Sequence, residues 1–557
     1  MTSVIIPGFT GNLFTPTLPG YESAIQRFST TAVLRPALIA EPASSEDISP
    51  VLKFALSQSP PLELAVKGGG ANPYPASSSN GGLVLDLGLL NKVTVSPDKK
   101  SITVGGGALW GDVYAAADKA GVVVVGASVY LVGVGGSVLA GGYSPLSGQY
   151  GLSIDNMIRA TVVLADGRIM TTDATNEPDL FWAIRGGVNQ FGVVTEMVFE
   201  AYPSPGLITV GSLVYLPTEL PNVLAALHEH FLYQHPSTKM ILMFARSPPD
   251  FAPGILILPY IEENKTDPAT VLKPFRESAT PIFEGLGTVN NFTAVSHGAD
   301  SVLNGQPPRV TSDGALISDL WDDLVLSVFE NWENFTNEPR FHSSILMWEF
   351  SHRDKIASVP VEATAFAARS PHYYMTITGR HTDPVDDAEV AEWATSLVGF
   401  VKQQQVERTG FPLPTPQLFA YSPETESSDE VWGENLSKLR KLKSRIQNPN
   451  IMNLYNTVLI AALMTTASAW HLQLYRDASY IGVVEDRRGT LDQPCKNLGS
   501  DNVVTSMHWQ AGSIASEIVL YQNKNCQGAR WATSGNWNVA KFPSPWDNSI
   551  SSYKINY

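Results

Sequence analysis

The first two hundred residues mix helical and extended spacings of apolar positions. Residues 45–56 place capping residues before an apolar helical spacing, which predicts a helix, and residues 110–120 predict a second one. Short apolar runs predict strands at 62–66, 81–87, 101–104 and 122–125. Strands and helices alternate along this part of the chain, which indicates a mixed α and β domain.

Most of these strands end in glycine-rich loops. Residues 67–72 read Lys-Gly-Gly-Gly-Ala-Asn, and backbone N–H groups in such a loop can approach an anion closely because no Cβ blocks them. The loop matches neither G-x-G-x-x-G nor the P-loop, and taken alone it fits a flexible turn at least as well. Glycine-rich loops recur at 105–107, 133–142 and 185–194. Together the loops indicate one long ligand laid across several backbone segments.

Seven short motifs follow one another along residues 66–194. They are Val-Lys-Gly-Gly-Gly at 66–70, Gly-Leu-Val-Leu-Asp-Leu at 82–87, Gly-Gly-Gly-Ala-Leu-Trp-Gly-Asp-Val at 105–113, Tyr-Gly-Leu-Ser-Ile-Asp-Asn at 150–156, Ala-Asp-Gly at 165–167, Asp-Leu-Phe-Trp-Ala-Ile-Arg-Gly-Gly at 179–187 and Phe-Gly-Val-Val at 191–194. With these motifs the chain resembles the FAD-binding domain of the vanillyl-alcohol oxidase / p-cresol methylhydroxylase (PCMH-type) flavoproteins. Residues 431–443 and 448–450 resemble the closing segment of the berberine-bridge-enzyme-like subgroup.

The resemblance implies FAD as the cofactor and suggests its contacts. The loop around the FAD pyrophosphate would consist of Lys67, Gly68, Gly69, Gly70, Ala71 and Asn72. The isoalloxazine and adenine ends would be lined by Gly133, Gly135, Gly136, Ser137, Gly141, Gly142, Leu146, Gly192, Val193 and Val194. Asp155 and Asn156 would brace the flavin side, and capping of a turn is the alternative for both.

Two positions that tether the flavin covalently in many such proteins differ here. The first tether is a His just after the glycines of the first loop, where this chain has Ala71. The second is a Cys in the loop around residues 126–136, where this chain has none. We therefore expect non-covalent FAD, and a weaker oxidant than in tethered relatives.

The catalytic base is less well indicated. The resemblance implies a Tyr-x-Asn-Tyr stretch near the closing segment, and alignment puts Leu418 at its first Tyr, Ala420 at the Asn and Tyr421 at the second Tyr. Leucine cannot accept a proton. The remaining catalytic candidates, each with a structural role as its alternative, are Tyr421, Tyr143, His342 and His381.

The expected fold class is α+β, with a two-part PCMH-type FAD-binding domain and an α/β substrate domain whose antiparallel sheet is backed by helices. A small all-β domain follows at the C-terminus. The predicted segments are an N-terminal segment 1–31, the FAD-binding domain 32–205, the substrate domain 206–415, the closing segment 416–451, an apolar linker 452–469 and the β domain 470–557. Tyr373 and Tyr374 lie in a strand-like segment and either pack in the core or line the pocket.

The C-terminal region has a different character. Residues 452–469 have the outline of a signal peptide ending in Ala-Ser-Ala, which favours two fused coding units, while a buried linking helix is the alternative. Residues 470–557 resemble small secreted βγ-crystallin-like proteins. Both cysteines, Cys495 and Cys526, lie there and indicate a disulfide or else two unpaired thiols.

Composition and net charge exclude some classes of binding partner. The 557 residues are 44% hydrophobic and 16% charged, which is typical of a globular protein. A net charge of −16 argues against nucleic acid and anionic membranes as partners. No apolar run spans a bilayer and no export signal begins the chain, so residues 1–451 are expected in the cytoplasm. No metal site is predicted.

These patterns and the resemblance predict an FAD-dependent oxidase. It would transfer a hydride from a small alcohol, amine or phenolic metabolite to FAD, with O2 as the acceptor, in specialised metabolism. The alternative is a flavoprotein with impaired oxidase activity or a cyclase-like role, carrying a secreted-type binding module at its C-terminus. Substrate identity and oligomeric state are left open.

Overall fold

The computed structural model describes residues 4–303, 305–415 and 427–446, together with strand segments between 470 and 556. The chain divides into two compact units, Met1–Val458 and Leu459–Tyr557. No helix of the described residues is long and apolar enough to cross a membrane.

The first unit begins with a four-stranded sheet of order β1-β2-β4-β3, in which β2, β3 and β4 are parallel. Its elements are β1 (Asn12–Phe14), α1 (Tyr21–Ala24), β2 (Leu38–Glu41), α2 (Ile48–Ser57), β3 (Leu64–Lys67) and β4 (Leu83–Asp86). Helix α2 follows a short 3₁₀ turn in which the Asp47 carboxylate accepts from the Ser44 N–H at 3.1 Å. The helix predicted at 45–56 is thus present and capped as expected.

A five-stranded antiparallel sheet of order β5-β6-β10-β8-β9 lies within the predicted FAD-binding domain 32–205, called the FAD-binding part below, beside a separate pair β7–β11. Its elements are β5 (Val93–Val95), β6 (Ser101–Gly105), α3 (Trp110–Ala120), β7 (Val122–Val123), α4 (Val134–Leu139), α5 (Ser147–Tyr150), β8 (Met157–Val163), β9 (Ile169–Asp173), α6 (Pro178–Ile184), β10 (Val193–Glu200) and β11 (Tyr202–Pro203). Helix α3 has the predicted bounds.

The strand predicted at 122–125 is only two residues long. Strand β7 pairs Val123 with Tyr202 and Val122 with Pro203, and proline has no N–H to extend a ladder. Val124 and Val125 are nevertheless fully buried in the core of this part. Their apolar run reflects burial more than strand pairing.

A seven-stranded antiparallel sheet of order β15-β12-β14-β13-β17-β18-β16 lies within residues 206–415, the segment predicted as the substrate domain and called the substrate part below. The elements from here are β12 (Ile208–Tyr215), α7 (Leu220–Leu232), β13 (Thr238–Ser247), β14 (Ala252–Glu262), α8 (Pro268–Glu277), β15 (Phe283–Val289), α9 (Phe292–Ser296), α10 (Asp300–Leu303), β16 (Arg309–Ile317), α11 (Asp322–Phe335), β17 (Ile345–Ser351), α12 (Asp354–Ala357), β18 (Tyr373–His381), α13 (Asp387–Thr409), α14 (Ser428–Trp432) and α15 (Leu436–Ile446).

The two faces of this sheet have different neighbours, because successive side chains of a strand point to opposite faces. On one face Tyr373 packs in a core with Phe244, Trp348 and residues of helices α7, α8, α11 and α13. On the other face Tyr374 packs in the core of the FAD-binding part. Both tyrosines are therefore buried in a core, which agrees with the core-packing alternative.

The described part of the closing segment returns to the FAD-binding part. Leu439 and Leu442 of α15 are buried in the same core as helix α6. The Trp432 Nε1–H donates to the Gly186 carbonyl at 2.9 Å, and the Lys438 ammonium lies 3.7 Å from the centre of the Trp182 ring. These contacts fix α14 and α15 beside α6.

The second unit contains two antiparallel four-stranded sheets of order β20-β19-β22-β25 and β21-β26-β23-β24. The strands are β19 (Trp470–Asp477), β20 (Ile481–Gly489), β21 (Gln493–Asn497), β22 (Ser506–Gln510), β23 (Glu517–Asn523), β24 (Gln527–Ser534), β25 (Trp537–Val539) and β26 (Ser552–Asn556). The signal-like segment 452–469 and Cys526 lie outside the described residues, so the disulfide stays a prediction.

Candidate active site

Three glycine loops meet backbone to backbone beyond the end of β3. A Cβ placed on Gly69 would lie 2.5 Å from the Cα of Gly133, and one placed on Gly133 would lie 2.3 Å from the nitrogen of Gly69. A Cβ on Gly135 would lie 2.7 Å from the carbonyl oxygen of Gly106. Only glycine permits approaches this close, so the loops at 67–72, 105–107 and 133–136 form one compact backbone surface.

The same surface carries backbone donors that the protein leaves open. The N–H groups of residues 69–72 donate to no acceptor among the described residues. Gly135 and Gly136 lie in the first turn of α4, where N–H groups have no acceptor within the helix. A Cβ on Gly136 would meet nothing within 4 Å, so space adjoins this turn. Convergent N–H groups beside open space fit the pyrophosphate of FAD.

The nearby cations are already bound to the protein. The Lys67 Nζ lies 2.6 Å from the carboxylate of Asp86, whose side chain is 2% exposed. The Arg27 guanidinium donates to the Ser77 carbonyl at 2.6 Å and to its hydroxyl at 3.1 Å. Lys67 thus belongs to the predicted loop, but its ammonium is committed to Asp86, and the donors offered to a phosphate are main-chain groups.

The loop at 141–142 brings the FAD-binding part against the substrate part. Gly141 and Gly142 have φ angles of 127° and 80°, in the region that favours glycine. A Cβ on Gly141 would lie 2.7 Å from the Phe366 ring, and one on Gly142 would lie 2.3 Å from the Ser153 hydroxyl. The tight turn places the next residue, Tyr143, at the junction of the two parts.

Several residues that were predicted to contact FAD have other roles in the structure. The Ser137 hydroxyl donates to the Gly133 carbonyl at 2.8 Å and accepts from the indole of Trp110 at 2.9 Å. Leu146, Val193 and Val194 are buried in the core, and the last two belong to the ladder of β10. Gly192, with a φ of 146°, is partly exposed beside them. The side chains of these buried residues stabilise the scaffold.

Asp155 and Asn156 serve the turn and the junction. The Asp155 carboxylate accepts from the Leu152 N–H at 2.9 Å and from the Arg369 guanidinium at 2.9 and 2.7 Å. The Asn156 amide donates to the carbonyls of Tyr150 and Leu152 at 2.9 and 2.8 Å. These bonds favour the capping alternative over bracing of the flavin, and the ion pair ties the turn to residues 364–372.

Tyr143 forms a hydrogen-bonded pair with a residue that the sequence did not indicate. Its hydroxyl donates to Nε2 of His372, while Nδ1 of His372 donates to the Ser370 carbonyl at 2.6 Å. The second contact sets the tautomer, so Nε2 is left as the acceptor. The Tyr143 ring also stacks on that of Tyr374, with 5.7 Å between ring centres.

The surroundings oppose charge on both partners. Burial lowers the pKa of His372 to about 4, and the Arg369 guanidinium adds to that effect. Burial raises the pKa of the Tyr143 phenol above its usual range, an effect that Arg369 opposes. The pair therefore rests as a neutral phenol donating to a neutral imidazole at pH 7.

An ion pair lies on the same sheet face as Tyr374. Glu349 of β17 is the cross-strand partner of Tyr374, and its carboxylate binds the ammonium of Lys239, which is 3% exposed. Burial is the main cause that raises the pKa of Tyr143 and of Tyr374, and the Glu349 charge adds to it at both. His372, Glu349 and Lys239 are the residues that motif reading missed, and the only signal in the sequence was strand alternation around Tyr373–Tyr374.

The other base candidates lie elsewhere. His381 contacts the Asp387 carboxylate at 2.6 Å, and His342 stacks on Phe251 with 5.0 Å between ring centres. Neither histidine contacts Tyr143 within the described part of the chain. Leu418 and Tyr421 lie outside the described residues, so the alignment of the Tyr-x-Asn-Tyr stretch stays a prediction.

Residues 36–173 match the family profile of the FAD binding domain. The chain is 28% identical over 452 residues to FAD-linked oxidoreductase pgmH of Aspergillus terreus, covering 78% of this chain and 90% of that protein. It is 27% identical over 422 residues to (R)-6-hydroxynicotine oxidase of Paenarthrobacter nicotinovorans, covering 72% and 83%. The structure of Physcomitrella patens BBE-like 1 superposes with a TM-score of 0.69 at 19% identity, covering 79% and 95%.

Proposed function

We propose that the chain is an FAD-linked oxidoreductase of the PCMH-type, berberine-bridge-enzyme-like flavoenzymes, and that it oxidises a small alcohol, amine or phenolic metabolite with O2 as the acceptor. When bound, FAD supplies the hydride acceptor and its reoxidation by O2. One observation carries the proposal. The glycine turn at 141–142, which follows α4, presents Tyr143, hydrogen-bonded to His372, at the junction with the substrate part.

We propose that FAD is held without covalent bonds. Ala71 offers no nucleophile where the family has a tethering His, and the two cysteines of the chain stand at 495 and 526. The open N–H groups of residues 69–72 and of the first turn of α4 would bind the phosphates instead. This arrangement neutralises phosphate charge with main-chain dipoles.

The Tyr143–His372 pair can move a proton without forming a free phenolate. A substrate hydroxyl or amine that donates to the Tyr143 oxygen passes its proton there, as the phenol proton moves to Nε2 of His372. The Ser370 carbonyl, which accepts from Nδ1, would partly offset the cost of the imidazolium that results, which burial and the Arg369 charge disfavour. Because burial raises the pKa of the phenol, transfer of a proton to the Tyr143 oxygen would be coupled to transfer of the phenol proton to His372.

The missing tethering residues leave room for a second candidate function, a cyclase-like flavoprotein with little oxidase turnover. In that role the Tyr143 oxygen would accept a hydrogen bond from an intermediate and orient it, while the Tyr143 hydroxyl stays bound to His372. Turnover measurements distinguish the two functions.

The test uses the purified full chain. Its visible spectrum before and after acid precipitation should show flavin that is released into the supernatant. Anaerobic mixing with alcohols, amines and phenols should then bleach the flavin with at least one class. Protein that stays colourless when supplied with FAD would contradict the cofactor assignment, and a flavin that no class reduces would favour the cyclase-like role.

The role of the pair is tested with Tyr143→Phe and His372→Gln. Both variants should keep bound FAD and lose about 10²-fold or more in the rate of flavin reduction, since a positioned acid–base group contributes at that level. Tyr233→Phe is the matched control because Tyr233 is 84% exposed. A rate of flavin reduction in Tyr143→Phe equal to that of the wild type would rule out the proposed proton transfer.

A further inference from the structure

The sheet face beside Tyr143 carries an ordered row of side chains. Directly opposed residues across neighbouring strands are Leu258, Ile241, Glu349, Tyr374 and Leu316, in the order β14, β13, β17, β18 and β16. Opposed residues of an antiparallel sheet share one face. Tyr374 stacks on Tyr143, so this row leads from the candidate proton-transfer pair outward across the sheet.

The row beside it is apolar over most of its length. It consists of Leu256, Met243, Met347, Thr376 and Gly314. Met243, Ala245 and Ile345 are buried in a small cluster of their own. Ile241, Leu256, Leu258 and Met347 pack against that cluster and stay partly exposed. The helices that cover the opposite face do not contribute to this cluster.

The charged side chains beside this face form ion pairs with each other. Lys239 and Glu349 bind each other, and their side chains are 3% and 15% exposed. Tyr143 and His372 are neutral as a pair, and Arg369 binds Asp155. A cation or an anion placed here would lose hydration without gaining a free partner among these groups.

We propose that the substrate is an uncharged, largely apolar alcohol or phenol, whose hydroxyl donates to Tyr143 and whose hydrocarbon body lies on the patch of Ile241, Met243, Met347, Leu256 and Leu258. The inference rests on the proposed function and narrows it, because it excludes sugars, amine cations and carboxylates. Unbranched thioether side chains adapt to a flat ring or a chain. Hydroxyl-rich sugars would leave their hydrogen-bonding groups unmatched on such a surface.

The test measures binding and reduction separately with the full-length, FAD-loaded protein. The probes are benzyl alcohol, benzylamine, 4-(hydroxymethyl)benzoate and cellobiose. Perturbation of the flavin absorbance gives the dissociation constant, and anaerobic bleaching gives reduction. Benzyl alcohol should bind at least about tenfold more tightly than each of the other three.

The matched variants are Met347→Gln and Ile241→Gln on the patch, with Leu326→Gln as the control. Leu326 lies on α11 and is 39% exposed, away from the patch. The patch variants should raise the dissociation constant of benzyl alcohol about fivefold at unchanged flavin content, whereas the control variant should leave it unchanged. Two patch variants guard against one that fails to fold.

The outcomes separate the two proposals. If cellobiose, benzylamine or 4-(hydroxymethyl)benzoate binds as tightly as benzyl alcohol or more tightly, the proposed substrate class is wrong. It is also wrong if benzyl alcohol does not bind, or if neither patch variant weakens its binding. Reduction by one of those other probes would support the oxidase while overturning this inference. Binding of benzyl alcohol without reduction would support the apolar site and count against the oxidase.

Discussion

The buried ion pair between Asp155 and Arg369 should hold the junction of the two parts together. Its side chains are 8% and 4% exposed, and Arg369 also donates to the Thr364 hydroxyl at 2.9 Å. Arg369→Met keeps a stem of similar length and removes the guanidinium. The Asp155 carboxylate would then keep one described donor, the Leu152 N–H.

The expected cost follows from that geometry. Removing one partner of a buried ion pair destabilises proteins by about 3–5 kcal/mol, because the remaining charge is left without compensation. The retained bond to Leu152 places Arg369→Met near 3 kcal/mol. Adding Asp155→Asn removes the charge itself, so the double variant should recover to a loss of about 1 kcal/mol.

The assay is urea unfolding followed by tryptophan fluorescence, with turnover measured on the same preparations. Turnover should fall in Arg369→Met because residues 364–372 carry His372. Arg35→Met is the control, since the Arg35–Glu22 pair is exposed and solvent screens it, so its loss should change stability little. A double variant no more stable than Arg369→Met would refute the reasoning from uncompensated charge.

Three further predictions follow from single residues. Gly69→Ala should lose bound FAD, read from the flavin absorbance per chain, because its Cβ would lie 2.5 Å from the Gly133 Cα. Gly399→Ala, in the exposed middle of α13 with nothing within 4 Å of its Cβ, should instead gain about 0.5–1 kcal/mol, and no rise in the thermal midpoint would contradict this. His372 stays neutral when folded, because burial lowers its pKa to about 4, while the unfolded chain takes up the proton near 6.5. Stability should therefore fall as pH drops from about 6.5 to 4, and His372→Gln should reduce this slope, as urea midpoints across that range will show.

Motif order in the sequence was enough to predict the FAD-binding fold. Glycine loops are readable because the need for a missing Cβ is a local property of the backbone, and Gly69, Gly133 and Gly135 meet that need. The bounds of α3 were likewise set by local apolar spacing. The length of β7 was not, because the pairing that limits it sets Val122 opposite Pro203, far along the chain.

Tertiary structure alone decided the chemistry beside these loops. Tyr143 and His372 are 229 residues apart in the chain, and Asp155 and Arg369 are 214 apart, so no local pattern could pair them. No local pattern could show that the Lys67 ammonium forms an ion pair with Asp86, or that the sheet register sets Glu349 opposite Tyr374. A side chain's charge and proton affinity depend on what packs around it, whereas a glycine's freedom belongs to the residue itself.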